Sequence, residues 1–178
     1  MGEHQLTITP LGGIPPVRQG DDLSGLLIAA LERGAVTPRN QDILAVTQKV
    51  VSKAEGRYRD LATVEPGSKA RELAATTGKD PPLVGAVLAE SAAVLRAKPH
   101  VLIAATRHGL VLANAGIDQS NLETEDHGRR VLLLPEDPDA SALRIKQRID
   151  AHFQADIGVI ITDSAGRAWR LGTVGLAI

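Results

Sequence analysis

Three aromatic side chains, Tyr58, Phe153 and Trp169, are all that 178 residues supply. The interior must therefore be aliphatic, built from Leu, Val, Ile and Ala, and the chain has no stock of rings on which nucleobases could stack. The length suffices for a substantial core and suits one domain or slightly more. Hydrophobic residues make up 43% of the sequence, charged residues 23%, and the net charge is −1. So even a balance gives no support to a general binder of nucleic acids or polyanions, and any anion must be held by a local arrangement. Cysteine is absent, which removes disulfides and thiolate ligands and leaves oxygen or imidazole for a metal site. The opening residues MGEHQLTI carry no basic leader, and no stretch is long and apolar enough for a membrane span. A soluble, cytoplasmic protein is expected.

QLTIT (5–9) alternates like a strand, and LGGIPPVRQG (11–20) is a loop. Asp21 and Asp22 precede a helix with Leu23, Leu26, Leu27, Ala30 and Leu31 on one face and Gly34 at its end. DILAVT (42–47) is a short buried strand, and QKVVSKAEGR (48–57) is a turn or short helix. A helix spans 66–78. A second, starting at Asp80-Pro81, runs through Leu83, Val84, Val87, Leu88, Ser91, Val94 and Leu95. VLIAAT (101–106) and LVLANAG (110–116) form a hairpin, VLLL (131–134) is a buried strand, and a helix with Leu143, Ile145, Ile149 and Phe153 follows. GVIIT (158–162) is an interior strand, and TVGLAI (173–178) is strand-like. The irregular alternation predicts an α+β fold with a mixed or antiparallel sheet and flanking helices. No internal boundary divides residues 1–178. The apolar ending suggests a portion of a larger unit.

Two apolar stretches run into acids: VLANAGIDQSN reaches Asp118, and GVIITDSAGRAWR reaches Asp163 and Ser164. A rigid strand can fix a carboxylate while a turn leaves its oxygens free for a hard cation, and two carboxylates can clamp a metal that bridges phosphate oxygens. Each Asp can equally serve only to cap a turn; spacing does not decide between the two. Arg167 and Arg170 follow the second acid and suit an anionic ligand, or pair locally with Asp163. Lys49 and Lys53 are four apart and share a helical face. They suit a bound anion or a solvated basic face. LGGIPP is neither a Walker loop nor a dinucleotide fingerprint, and the five histidines show no ligand spacing.

Taken in order, GIPPVRQGDDL, VTQKVVSKAEGR, KDPPLVGAVLAES, NAGIDQSN, LLLPEDPDASA and GVIITDSAGRAWRLGTVG resemble the coenzyme F-420-0:L-glutamate ligase family of gamma-glutamyl ligases, from about residue 6 to the last. The resemblance implies a homodimeric enzyme of coenzyme F-420 biosynthesis. Such an enzyme uses GTP, a divalent Mn²⁺ or Mg²⁺ and K⁺ to activate the carboxylate of F-420-0 as an acyl phosphate. The amine of L-glutamate then displaces phosphate. Carried over by motif, Ile14, Pro15, Pro16, Val17, Gln48, Lys49, Lys53 and Asn121 would contact GTP. Asp118 and Asp163 would hold one metal, and the Ser164 hydroxyl would reach a second. Asp118, Asp163, Lys53 and Arg167 would form the catalytic set, with Arg170 a further basic position. Family members continue beyond this chain into a glycine-rich nucleotide segment and another metal ligand. The same resemblance therefore leaves open a non-catalytic GTP- or deazaflavin-binding fragment, or a ligase with a different acceptor. No residue is assigned to the glutamate or deazaflavin pockets.

Overall fold

The computed structural model describes residues 5–119, 130–166 and 171–178. The first helix, α1 (Leu23–Arg33), starts where Asp22 accepts a hydrogen bond from the Gly25 N–H at 3.1 Å and ends at Gly34. Strand β1 (Ile43–Thr47) passes directly into α2 (Gln48–Ala54), followed by β2 (Tyr58–Asp60) and a single turn at Leu61–Thr63. Helix α3 (Ser68–Thr77) ends on Gly78, which has φ +69°. Helix α4 (Pro81–Ala89) has proline in its first turn. Three strands then make an antiparallel sheet, β3 (Ser91–Lys98), β4 (Val101–Thr106) and β5 (Val111–Ala113). Strand β6 (Arg130–Leu132) pairs with β2, and α5 (Pro138–Phe153) leads to β7 (Gly158–Gly166) and β8 (Thr173–Ala177).

The third sheet has the order β1-β7-β8, parallel between β1 and β7 and antiparallel between β7 and β8. Mixed pairing beside purely antiparallel pairing makes the protein α+β, as expected. Two aliphatic cores result. Helices α3 and α4 cover the sheet of β3–β5 through Ala70, Leu83, Val84, Val87, Leu102 and Ala104. Helices α1, α2 and α5 cover β1 and β7 through Leu27, Leu31, Val51, Ile145, Ile149 and Ile161. Leu112, Leu134 and Ala165 form a small cluster where β5 meets β7. Every buried hydrophobic residue among those described is Val, Leu, Ile or Ala.

Several expectations are corrected: β1, read as a buried strand, buries only Val46 and leaves Ile43 66% exposed. Residues 5–9 form no strand: Leu6 and Ile8 stand 84% and 83% exposed. Alternation makes a strand only when a neighbouring edge takes its backbone hydrogen bonds, and none does so among the described residues. The helix from Asp80 stops at Ala89, so Ser91, Val94 and Leu95 belong to β3 instead. Finally, β7 does not end at Thr162. Asp163 and Ser164 lie within it, opposite Leu176 and Gly175 of β8.

Candidate functional site

The register of β1 against β7 fixes one wall of a cavity. Thr47, the last residue of β1, lies opposite Thr162. There the chain turns into α2, while β7 runs on with β8 as its partner. Gln48 and Lys49 therefore stand beside Asp163–Gly166 although more than a hundred residues separate them in sequence. Val51 and Ser52 are buried on α2, and the Ser52 hydroxyl donates to the Gln48 side-chain carbonyl at 2.9 Å. Gln48 itself is only 1% exposed.

The opposite wall comes from the end of β5. Asn114, Ala115 and Gly116 take φ values of +51°, +54° and +75°. Two consecutive non-glycine residues in the left-handed region cost about 1–2 kcal/mol each. Burial of Ala115 and Ile117 in the first core holds them there. Gly116 suits the turn because of its positive φ and because a Cβ there would lie 2.9 Å from the buried Leu134 side chain. The turn delivers Asp118, whose backbone N–H and C=O exchange 2.9 Å hydrogen bonds with Leu132. Its main chain is pinned by β6 while its carboxylate faces α2.

Between the walls lies a cavity of about 220 Å³, whose lining includes Gln48, Lys49, Asn114, Asp118, Asp163 and Ser164. Five of these six are residues picked out by sequence. The Lys49 ammonium donates to Asp118 Oδ2 across the cavity, so the anion beside this lysine is a carboxylate of the chain itself. Because β7 is regular here, successive side chains leave on opposite faces. Asp163 shares its face with the buried Ile161 and Ala165, whereas Ser164 is on the exposed face. Both residues thus reach the cavity from within a paired strand and not from a turn.

Among the described residues no three His, Asp or Glu side chains gather as a ready-made metal cage. Mg²⁺ and Mn²⁺ are commonly held by one or two carboxylates completed by substrate phosphates and water. Asp118 and Asp163 on one cavity match that donor chemistry. Asn114 adds a buried side-chain Oδ1 with no hydrogen-bond donor among the described residues. Sequence reading assigned it nothing. Its signal was the pair of left-handed formers, Asn and Gly, two positions apart.

The remaining candidates stand apart. Lys53 follows Lys49 by one turn of α2 but does not line the cavity among its described walls. Nor do Ile14, Pro15, Pro16 and Val17. Val17 is buried in the second core with Ile14 packed against it, and Pro15 and Pro16 are exposed. Their loop is tied to α2 by the Gly20 N–H, which donates to the Ala54 carbonyl at 2.9 Å. Asn121, Arg167 and Arg170 lie outside the described residues.

Comparison with known proteins places this geometry in context. Residues 13–178 match the sequence profile of the F420-0:Gamma-glutamyl ligase family. The chain is 40% identical over 173 residues to the coenzyme F420:L-glutamate ligase of Methanothermobacter thermautotrophicus, covering 97% of this chain and 67% of that protein. It is 43% identical over 179 residues to the protein of the same name from Methanopyrus kandleri, covering 99% and 67%. Against that from Archaeoglobus fulgidus it is 42% identical over 174 residues, covering 98% and 66%. It thus spans about two thirds of the length of these relatives.

Proposed function

The chain belongs to the F420-0:gamma-glutamyl ligase family, and from that premise we propose that it serves in the GTP-dependent addition of L-glutamate to coenzyme F-420-0. One observation supports the reading above others. Gln48, Lys49, Asp118, Asp163 and Ser164, drawn from three distant segments, line a single cavity.

In this reading Asp118 and Asp163 would hold one divalent ion, Mn²⁺ or Mg²⁺, and the hydroxyl of the adjacent Ser164 would reach a second. Such ions, when bound, neutralise phosphate oxygens. The chain's own groups do the rest. Gln48, Lys49 and Lys53 on α2, the loop Ile14–Val17 beside that helix, and Asn121 hold the nucleotide. An F-420-0 carboxylate oxygen attacks the γ-phosphorus of GTP and GDP departs with the bonding pair, which yields an acyl phosphate. Lysine charge stabilises the electron density passing to GDP. The glutamate amine then attacks the acyl carbon, an amide forms, phosphate leaves and the amine gives up a proton. Arg167 and Arg170 are assigned to the acidic intermediates. K⁺ and a homodimer are parts of the same proposal.

The test is to incubate the protein with GTP, Mn²⁺, K⁺, L-glutamate and F-420-0 and to follow the deazaflavin by mass spectrometry. The expected outcome is a gain of one glutamate residue that disappears in Asp163→Ala. The competing reading is binding without turnover. It predicts saturable GTP or deazaflavin binding with no mass gain.

A further inference from the structure

The contact between Lys49 and Asp118 does more than neutralise two charges. Lys49 comes from the second residue of α2 and Asp118 from the chain 69 residues later. Their side chains are 34% and 15% exposed, so the pair sits at the cavity wall and not in open solvent. The Asp118 backbone is fixed by its two hydrogen bonds to Leu132, which leaves the carboxylate only its two short side-chain rotations. Lysine differs in this respect. Its compact ammonium is carried on a four-carbon stem and can move several ångströms without any change in the backbone.

Resting on the metal assignment above, we infer that Lys49 is a built-in competitor for the metal site: its ammonium occupies Asp118 until a dication and a polyphosphate arrive together. A dication such as Mg²⁺ needs carboxylate oxygens at about 2.0–2.1 Å. An ammonium hydrogen-bonded to the same carboxylate repels it and engages one of the oxygens it would use. A metal entering alone must expel Lys49 with no anion to receive the displaced charge. A metal entering with nucleotide phosphates brings that anion with it, into a cavity whose wall already carries Lys49. The consequence is coupling. Metal binds poorly by itself and well with nucleotide, and by linkage the nucleotide gains the same factor from the metal. A purely structural salt bridge makes no such demand.

The experiment measures free Mn²⁺ by electron paramagnetic resonance while the full chain is titrated, with and without GDP, in wild type, Lys49→Met, Lys49→Gln and Lys49→Arg. The neutral variants should bind Mn²⁺ alone about tenfold more tightly than wild type, and the enhancement by GDP should shrink by about the same factor. Lys49→Arg keeps the charge and should stay close to wild type. Unchanged or weaker Mn²⁺ affinity in both neutral variants would overturn the inference while leaving the metal site intact, as would equal tightening in Lys49→Arg. If no protein in the series bound Mn²⁺ under either condition, the metal assignment would fail and this inference with it. Two neutral variants of different shape, each checked by circular dichroism, separate loss of charge from loss of fold.

Discussion

At Gly116 the absence of a side chain eases one wall of the cavity in two ways. Its φ of +75° is unfavourable for any other residue, and an added methyl would press on Leu134, itself buried. Gly78 at the end of α3 has nearly the same φ, +69°, but open space around it. The two positions therefore separate backbone strain from crowding. Gly78→Ala should cost about 1 kcal/mol through the backbone alone. Gly116→Ala should cost about 3 kcal/mol, because overpacking is added to the same strain. For a domain of this size that means drops in melting temperature of roughly 2–4 °C and 6–12 °C. Equal drops in a thermal melt would show that Leu134 yields without cost and that the approach at the cavity wall is not tight. Neighbouring Asn114 and Ala115 carry left-handed strain without being glycine. That strain is stored where the candidate site lies, as tends to happen at functional positions.

The elements differ in how readily they could be read from sequence, and α5 shows both why it was legible and how it is fastened. Ile145, Ile149 and Phe153 keep the helical period on its inner face while Leu143 is 52% exposed, Asp137 accepts from the Ala140 N–H at 2.8 Å, and its C-terminal end is clipped to the residue that leads into β7. The clip is Asp150, which accepts from Lys146 Nζ at 2.6 Å and from the Ile157 N–H at 3.1 Å. Lys146, first of all, and then the Ile157 amide hold the Asp150 carboxyl below its ordinary pKa. Asp22 at the start of α1 is lowered likewise, by the Gly25 amide first and by Arg148 second. A depressed carboxylate contributes stability above its unfolded value of about 3.9, and that stability is lost as pH falls through the folded value. Asp150→Ala should thus cost about 1–2 kcal/mol at pH 7. The gap from wild type should begin to narrow as pH falls below about 3.9, where the unfolded chain takes up its proton, and should close only below the depressed folded value, where the native contact is lost. Melting curves at pH 7, 5 and 3 check this, and a gap unchanged at pH 3 would remove Asp150 from the account. Strand β3 shows why other elements were misread. Its register shifts against β4 between Ser91 and Ala93 and again between Val94 and Arg96. Its half-buried residues are consequently Ser91, Val94 and Ala97, a spacing of three. Bulges had turned a strand's period of two into something helix-like. Strand β7 hid its length for a different reason. Polar Asp163 and Ser164 look like an exit, and only the pairing partner β8 makes them strand.

For the molecule as a whole, the decisive feature is that the cavity lies where the two cores meet. Gln48, Lys49 and Asp163 belong to elements of the second core, whereas Asn114 and Asp118 follow β5 from the sheet of the first. This convergence could not be obtained from spacing, because it depends on the parallel register of β1 with β7 and on the bridge from Asp118 to Leu132. The motif residues on the two walls were legible; their common destination was not. A ligand that occupies such a junction is bound by the folded state and not by the unfolded chain, so it raises stability by mass action. At a hundredfold excess over its dissociation constant the gain is about 2.7 kcal/mol, or roughly 5–11 °C for this length. Mn²⁺ with GDP should therefore raise the melting temperature by that amount. Asp118→Asn, which keeps the side chain's size and loses its charge, should forfeit most of the rise that depends on Mn²⁺. It should retain whatever stabilisation GDP gives alone. If Mn²⁺ and GDP left the melt of the wild-type protein unchanged at saturating concentrations, the junction would not be where they bind. The carboxylates would then be no more than partners for Lys49 and the surrounding backbone.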